Sequence, residues 1–330
     1  MSLSRLSAAL QSCVAAISRC ESLLMNHSRF KGTLCAVLGA ITFGMNPFFG
    51  IPLYAEGLEP LSVLFYRFSF GALLLAGLLA LRGESLRLAR VYWLPVAGAG
   101  VLLALTCLFW FMTFRIMDSG IGAALIFIYP IVVAFMMWGI YGERLSRLTF
   151  VGITLATVGV ALTCTPGEGC RVCAEGLVYI ILSAFVYSLY IVAVKKSRLR
   201  RLSPGKLTFY SLFFAVPVFL VALRGGIDLQ MLPSFRALGN ALGLAFFPSL
   251  LSFLFTTIAI RHIGPTQTSI LGALEPVTAI ILGIVCFDEH LSLRLACGIL
   301  IILAAVSLVI CAKSRAESSP LLGKSPAELP

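Results

Sequence analysis

Ten apolar segments dominate this sequence, and each is long enough to cross the hydrocarbon core of a bilayer as a helix. Such a helix needs about 20 mostly apolar residues, within a range of about 17–25. The segments are Thr33–Leu53, Pro60–Leu81, Tyr92–Phe114, Ser119–Ile140, Leu148–Cys164, Gly176–Val194, Leu207–Leu223, Leu238–Ile260, Pro265–Phe287 and Leu295–Ala312. Within them only Arg67 and Glu275 carry a charge. The pattern predicts an all-α polytopic membrane protein with ten transmembrane helices.

The composition excludes most other classes of protein. Of the 330 residues, 59% are apolar and only 12% are Asp, Glu, Lys or Arg, whereas an ordinary soluble domain carries roughly 25% charged residues. One soluble core cannot hold this excess, because cores stop growing beyond about 250–300 residues. Most soluble enzymes, disordered chains and disulfide scaffolds are therefore excluded, while the net charge of +11 leaves nucleic-acid binding to be examined.

The positions of Lys and Arg answer that question and predict the orientation. If the N-terminus is cytoplasmic and the chain changes sides at each span, 19 of the 25 Lys and Arg residues fall on the cytoplasmic side. The opposite side receives Arg115, Arg171, Arg224, Arg236 and Arg294. Because cytoplasmic loops carry an excess of Lys and Arg, both termini are predicted to be cytoplasmic, in a bacterial inner membrane. Cations dispersed over such loops indicate topology, so we expect no nucleic-acid partner.

The two halves of the chain repeat each other. Residues 119–162 align without a gap on residues 265–308 at a shift of 146, and the front halves align at a shift of 144. Matched residues include Pro130 with Pro276, Glu143 with Glu289, Pro60 with Pro204, and Phe65-Tyr66 with Phe209-Tyr210. The alignment predicts two five-helix units, at residues 31–165 and 174–312.

An odd number of spans in each unit requires that the second unit enter the membrane from the other side. The loop at residues 55–59 is acidic, whereas its counterpart at residues 195–201 is strongly basic, as opposite sidedness demands. Inverted repeats that share a site near the bilayer midplane are a transporter architecture. Residues 1–30 are predicted to be a cytoplasmic segment, either an amphipathic surface helix or untranslated sequence before Met25, and residues 313–330 a disordered cytoplasmic tail.

Several motifs resemble one known family. They are Phe43-Gly44-Met45-Asn46-Pro47, Phe65-Tyr66-Arg67, Gly142-Glu143-Arg144-Leu145, Leu274-Glu275-Pro276 and Asp288-Glu289-His290-Leu291. The chain resembles the EamA family of the drug/metabolite transporter superfamily over about residues 30–312, although Asp288 and Ala305 stand where the family usually has glycine. The resemblance implies a ten-helix, inverted-repeat carrier, and such carriers often export amino acids or related metabolites.

Arg67 lies seven residues into the second span. A cation deep in a span costs about 2.5–3.5 kcal/mol on insertion scales, so it should face the bundle or a wet cavity. One hypothesis makes it the ligand of a substrate carboxylate or phosphate. The alternative is structural: the side chain extends to the outer interface or caps carbonyl groups of a neighbouring helix.

Glu275 lies near the centre of the ninth span, directly before Pro276. A carboxyl group at that depth suits reversible protonation, because its charged form is costly in a medium of low dielectric constant. It either binds a substrate ammonium group or carries a coupling proton. The structural alternatives are a carboxylate that accepts from helix donors freed by the proline, or one paired with Arg67. Its repeat counterpart is Tyr129, so the backbone at this position does not require a carboxylate.

Other candidates share the depth of these two charges. Pro130 and Pro276 are expected to bend their helices and expose carbonyl groups, because proline removes a backbone hydrogen bond. An aromatic and polar wall that suits an amphipathic metabolite is predicted from Asn46, Tyr66, Trp110, Tyr129, Tyr187, Tyr190 and Tyr210.

The predicted function is secondary transport of a small metabolite, an amino acid or related amphipathic compound, by alternating access with efflux as the expected direction. Proton coupling and simple facilitated diffusion both stay open, and the protein is predicted to be a monomer or a homodimer. The alternative is a carrier for uptake or exchange of a nucleoside-like or anionic metabolite. A channel or an integral-membrane enzyme is the least favoured interpretation, since none of the common catalytic motifs occurs. No cofactor or metal is expected.

Overall fold

The computed structural model describes residues 28–116, 126–142, 147–163, 174–287 and 293–318, and every regular element in those ranges is helical. The N-terminal segment before residue 28 and the tail after residue 318 lie outside the described residues. The helices are α1 (residues 28–44), α2 (Asn46–Ala55), α3 (Pro60–Leu81), α4 (Trp93–Ile116), α5 (Tyr129–Tyr141), α6 (Arg147–Thr163), α7 (Ala174–Lys196), α8 (Pro204–Ala222), α9 (Phe235–Leu244), a π-helix (Ala245–Leu251), α10 (Ser252–Ile263), α11 (Pro265–Leu271), α12 (Leu274–Phe287) and α13 (Leu293–Ser318).

Seven helical stretches in the described residues are long and apolar enough to cross a bilayer. They are Ser28–Ala55, Pro60–Leu81, Arg90–Trp110, Ala174–Lys196, Pro204–Ala222, Phe235–Ile263 and Pro265–Cys286, and each coincides with a predicted span. Three shorter apolar helices, Tyr129–Tyr141, Arg147–Leu162 and Ala296–Val306, lie where the fourth, fifth and tenth spans are predicted. The all-helical membrane architecture is confirmed, while the count of ten spans and the inversion of the repeats stay predictions.

Two spans are interrupted just before the prolines that the sequence singles out. A turn at residues 127–128 precedes α5, and a turn at residues 272–273 separates α11 from α12. Pro130 and Pro276 therefore lie in the first turn of a new helical segment. Proline is tolerated there because the backbone N–H it lacks has no intrahelical partner at that position. The chain thus breaks each helix at this depth, where the sequence predicts a bend.

The first and eighth spans are irregular at similar places. Met45 interrupts the first span, and Pro47 lies in the first turn of α2. In the eighth span the backbone forms a π-helix over Ala245–Leu251, with Pro248 inside it. π-Helical turns are rare and are frequently found at functional sites.

The interior is built from helices of both halves of the chain. α4 packs against α7 and α8, α3 packs against α8 and the π-helix, and α5 packs against α7 and α11. α6 and α13 form an extensive pair of their own. The broken helices α5 and α11/α12 therefore lie against the central helices, which brings the interruptions to one region.

The α6–α13 pair depends on close approach at Gly159. A Cβ atom at this position would lie 2.7 Å from Ile302 Cγ1, 3.0 Å from the Ile302 backbone nitrogen and 3.1 Å from the Gly298 carbonyl oxygen. Small residues let membrane helices approach in this way, because packing rather than water exclusion drives their association.

We expect Gly159→Ala to destabilise the protein by about 1–3 kcal/mol, because overpacking forces side chains and backbone to shift. The apparent melting temperature of detergent-solubilised protein, followed by fluorescence-detected size-exclusion chromatography, measures the loss. Gly139→Ala is the matched control, since no heavy atom outside its own helix and chain neighbours lies within 4 Å of the added Cβ. An equal melting temperature for the two variants would contradict the described contact.

Candidate substrate site

Glu275 lies in the first turn of α12, immediately after the interruption of the ninth span. Its backbone N–H donates to the Gly272 carbonyl oxygen at 2.9 Å, and its Oε1 atom lies 3.5 Å from the position a Cβ would take at Gly272. A carboxylate at a helix N-terminus is stabilised by the helix dipole, typically by about 0.3–1 kcal/mol. The residue is half-buried at this interruption.

Two glycines let the neighbouring segments approach this carboxylate. A Cβ at Gly44 would lie 2.5 Å from the Glu275 carbonyl oxygen, so the end of α1 packs directly on the start of α12. A Cβ at Gly272 would overlap the hydroxyl group of Tyr129. Glycine at both positions therefore lets α1 and α5 meet at the interruption.

A row of tyrosines lies beside Glu275. Tyr129 is buried, and its hydroxyl donates to the Ser269 carbonyl oxygen at 3.0 Å. The Tyr129 and Tyr187 ring centroids are 5.0 Å apart, and the Tyr187 and Tyr190 rings stack at 6.3 Å. Gly272 lies against both the Tyr129 hydroxyl group and the Glu275 carboxyl group. The structure therefore brings together three of the predicted site residues, Glu275, Tyr129 and Tyr187.

Arg67 is almost completely buried, with 2% of its surface exposed. Its Nε donates to Ser249 Oγ at 2.7 Å and its Nη2 to the Pro248 carbonyl oxygen at 3.2 Å. The guanidinium carbon lies 5.5 Å from the ring centroid of Phe43 and 5.7 Å from that of Phe68. Arg67 therefore caps a carbonyl group of the π-helix, which is one of the structural alternatives, and it forms no ion pair with Glu275.

The π-helix explains why these acceptors are present. Pro248 has no backbone N–H to donate, so hydrogen bonding in the preceding turn is interrupted. Ser249 Oγ donates to the Leu244 carbonyl oxygen at 3.3 Å and at the same time accepts from Arg67. One serine thus joins the irregular segment of the eighth span to the cation of the second.

Phe43 and Cys107 belong to the surroundings of Arg67. Cys107 on α4 is buried, with Arg67 and Tyr187 in its surroundings. The Phe43 ring stacks on the Trp110 ring at a centroid distance of 6.3 Å. Sequence reasoning missed Cys107 as a site residue, although its position three residues before Trp110 puts both on one face of α4.

The remaining predicted residues have other partners. Asn46 Nδ2 donates to the Phe43 carbonyl oxygen at 2.9 Å, so it serves the backbone at the interruption of the first span. Tyr190 is buried and lies beside the hydroxyl groups of Ser211 and Thr257. Tyr66 and Tyr210 bond to backbone carbonyl groups at residues 230 and 86, away from Glu275.

No metal centre is formed by the described part of the chain. Across those ranges, no three His, Cys, Asp or Glu side chains come together in a group that could hold a metal ion. The polar groups described at the candidate site are one carboxyl group, one guanidinium group and tyrosine hydroxyls, beside aromatic faces.

Comparison with known proteins identifies the family to which the chain is similar. The model of the EamA-like transporter family matches residues 30–165 and again residues 174–311. An uncharacterized transporter of Archaeoglobus fulgidus is 26% identical over 279 residues, which cover 83% of this chain and 94% of that protein. The uncharacterized transporter YvbV of Bacillus subtilis is 25% identical over 259 residues, covering 77% of this chain and 83% of the relative.

A solved structure has the same fold. A protein crystal structure superimposes with a TM-score of 0.73 over 88% of this chain and 99% of its own, at 18% sequence identity. Two matches of one family model together cover most of the sequence, in the order of the two predicted units. The chain is thus a member of the EamA-like transporter family.

Proposed function

We propose that this protein is a secondary transporter that exports an amphipathic amino acid or a related amine-bearing metabolite by alternating access between two inverted repeats. The observation that carries the proposal is a pair of opposite charges inside the bundle that do not neutralise each other. Arg67 forms no ion pair with any carboxylate of the described residues, and Glu275 forms none with any described cation. The hydrogen-bond acceptors of Arg67 are neutral groups, and a charge inside the bundle without a counter-charge is unfavourable, so a zwitterion that supplies both counter-charges would be bound well.

The two charges would divide the recognition of such a substrate. Glu275 accepts the ammonium group or carries the coupling proton, because it lies in the first turn after a helix interruption and is only half-buried. Arg67 uses Nε and Nη2 to hold the π-helix, which leaves its Nη1 group to donate to a carboxylate. Discontinuous helices that direct their ends at a bound ion are a recurrent feature of transporter sites.

Aromatic groups would contact the apolar part of the substrate. Phe43 and Trp110 stack near Arg67, while Tyr129 and Tyr187 lie beside Glu275. Sites for small molecules typically combine apolar walls with a few directed polar groups. The same aromatic surface would also fit a nucleobase, so the nucleoside-like alternative is tested together with the amino acid.

We expect an apolar amino acid to stabilise the purified protein more than analogues that lack one charged group. Leucine, isopentylamine and isocaproate form a matched set that shares the aliphatic chain. Leucine should raise the apparent melting temperature in a thermal-shift assay, whereas the amine and the carboxylate alone should raise it little. A shift caused by uridine or inorganic phosphate, with none from leucine, would favour the alternative carrier.

Glu275→Gln should weaken binding of the amino acid about 12- to 160-fold, because a hydrogen bond to a charged group contributes about 1.5–3 kcal/mol. Counterflow uptake into proteoliposomes at several pH values measures the effect. Wild-type uptake should depend on pH as the carboxyl group titrates, whereas the variant should give a flat profile. Glu175→Gln is the control, since Glu175 is exposed at the start of α7. Equal pH profiles for Glu275→Gln and wild type would rule out the proton role.

Ser249→Ala should weaken binding of carboxylate-bearing ligands, because Arg67 loses the acceptor that orients its guanidinium group. The amine analogue should bind the variant and the wild type equally well. Dissociation constants for leucine and isopentylamine, measured by calorimetry, separate these two effects. Ser85→Ala, at an exposed loop serine that accepts from the Arg87 backbone N–H, is the control. Equal loss for both ligands would assign Ser249 a structural role only.

A further inference from the structure

Tyr66 joins the beginning of α3 to the connection that follows α8. Its hydroxyl donates to the Gln230 carbonyl oxygen at 2.9 Å. Four further hydrogen bonds hold the same connection. The Gln230 backbone N–H donates to Ser62 Oγ at 3.1 Å, and the Gln230 side chain accepts from the Glu59 backbone N–H and donates to the Gly57 carbonyl oxygen. The Ser234 hydroxyl donates to Glu56 Oε2. The first turns of α3 are therefore fixed to a segment that belongs to the other half of the chain.

Tyr210 makes the equivalent contact at the beginning of α8. Its hydroxyl donates to the carbonyl oxygen of Leu86, in the connection that follows α3. Ser203 caps the N-terminus of α8, and its hydroxyl lies 3.5 Å from Glu84 Oε2 in that connection. The first turns of α8 are thus fixed to a segment of the first half.

The two hydrogen bonds are related by the repeat: the donor tyrosines are 144 residues apart in the sequence, and so are the acceptor residues. Adding 144 to Tyr66 gives Tyr210, and adding 144 to Leu86 gives Gln230. The aromatic packing follows the same rule, since the Tyr66 ring lies 5.7 Å from that of Phe70 and the Tyr210 ring 6.2 Å from that of Phe214. Donor, acceptor and supporting ring therefore occur twice, each time between the two halves.

The two contacts lie at opposite ends of the helix pair α3–α8. α8 is 19 residues long, which corresponds to about 28 Å at 1.5 Å per residue. Tyr210 lies near its beginning, whereas Gln230 lies beyond its end. α3 packs against α8 along this length, so one tyrosine fixes each end of the pair.

We propose that Tyr66 and Tyr210 are matched closures that set which end of the transporter is open. Opening one end separates the start of one helix from the opposite connection and breaks the tyrosine contact there, while the other contact stays intact. The inference rests on the proposed alternating access. It gives both tyrosines a positioning role in the transport cycle in place of the substrate contact expected from the sequence.

Hydrogen–deuterium exchange of the full chain in lipid nanodiscs, without substrate, tests the proposal with Tyr66→Phe and Tyr210→Phe. Each variant removes one hydroxyl and keeps the ring. Tyr66→Phe should speed exchange at residues 56–62 and 227–234 by about 2- to 12-fold, the change in equilibrium constant for one lost hydrogen bond. It should also slow exchange at residues 84–92 and 197–206, because fewer molecules are open at that end. Tyr210→Phe should give the reverse pattern. In the double variant, the ratio of the exchange rates at the two ends should return toward that of the wild type.

Tyr179→Phe is the matched control, because the Tyr179 hydroxyl donates to Glu175 Oε1 within the same helix at 3.1 Å. It should change exchange at neither end. The proposal would be overturned if each variant speeds exchange at the end where its hydroxyl is removed but does not slow exchange at the other end. The two tyrosine hydrogen bonds would then stabilise structure only locally. The outcome is independent of the ligand series: failure of the amino acids to bind would refute the substrate, whereas loss of reciprocity with intact amino-acid binding would refute the closures alone.

Discussion

The arrangement of the interior depends on one constraint: a backbone carbonyl or N–H group inside a bilayer must find a partner within the protein, because the hydrocarbon core offers none. The spans of this chain are broken at Met45, at residues 272–273 and in the π-helix, and each break frees carbonyl groups. Side chains bond to them: Asn46 to the Phe43 carbonyl, Tyr129 to that of Ser269 and Arg67 to that of Pro248. The polar residues of the spans thus make the interruptions stable.

The same interruptions create the candidate site. Because α12 begins at depth, Glu275 lies at a helix N-terminus rather than in the middle of a continuous helix. Because the π-helix presents a serine hydroxyl and a carbonyl group to α3, Arg67 bonds to these acceptors and forms no ion pair with Glu275. Under the proposed function, the two separate charges would serve as attachment points for a zwitterion, which a direct ion pair would not.

Much of the fold, and part of the candidate site, can be predicted from the sequence. Hydropathy predicts the seven long spans, and the mid-span prolines correctly mark where α5 and α12 begin. The capping of neighbouring carbonyls by Arg67 was one of two structural alternatives. Three site details were not accessible. Cys107 is an ordinary small apolar residue by composition, Asn46 bonds across the interruption to the last turn of α1, and Tyr66 and Tyr210 bond to carbonyl groups that carry no sequence signature. Backbone acceptors exist at every residue, so only packing decides which one a tyrosine reaches.

The sequence by itself determined the class of protein, because hydropathy, charge position and internal repetition are properties of consecutive residues that the bilayer selects directly. It also identified the two intramembrane charges, since an ionisable group in a span stands out against its apolar neighbours. Only the tertiary structure decided what those charges contact. Whether Arg67 meets Glu275 or a carbonyl group depends on how α3, α12 and the π-helix pack, and the chain separates Arg67 from Glu275 by 207 intervening residues.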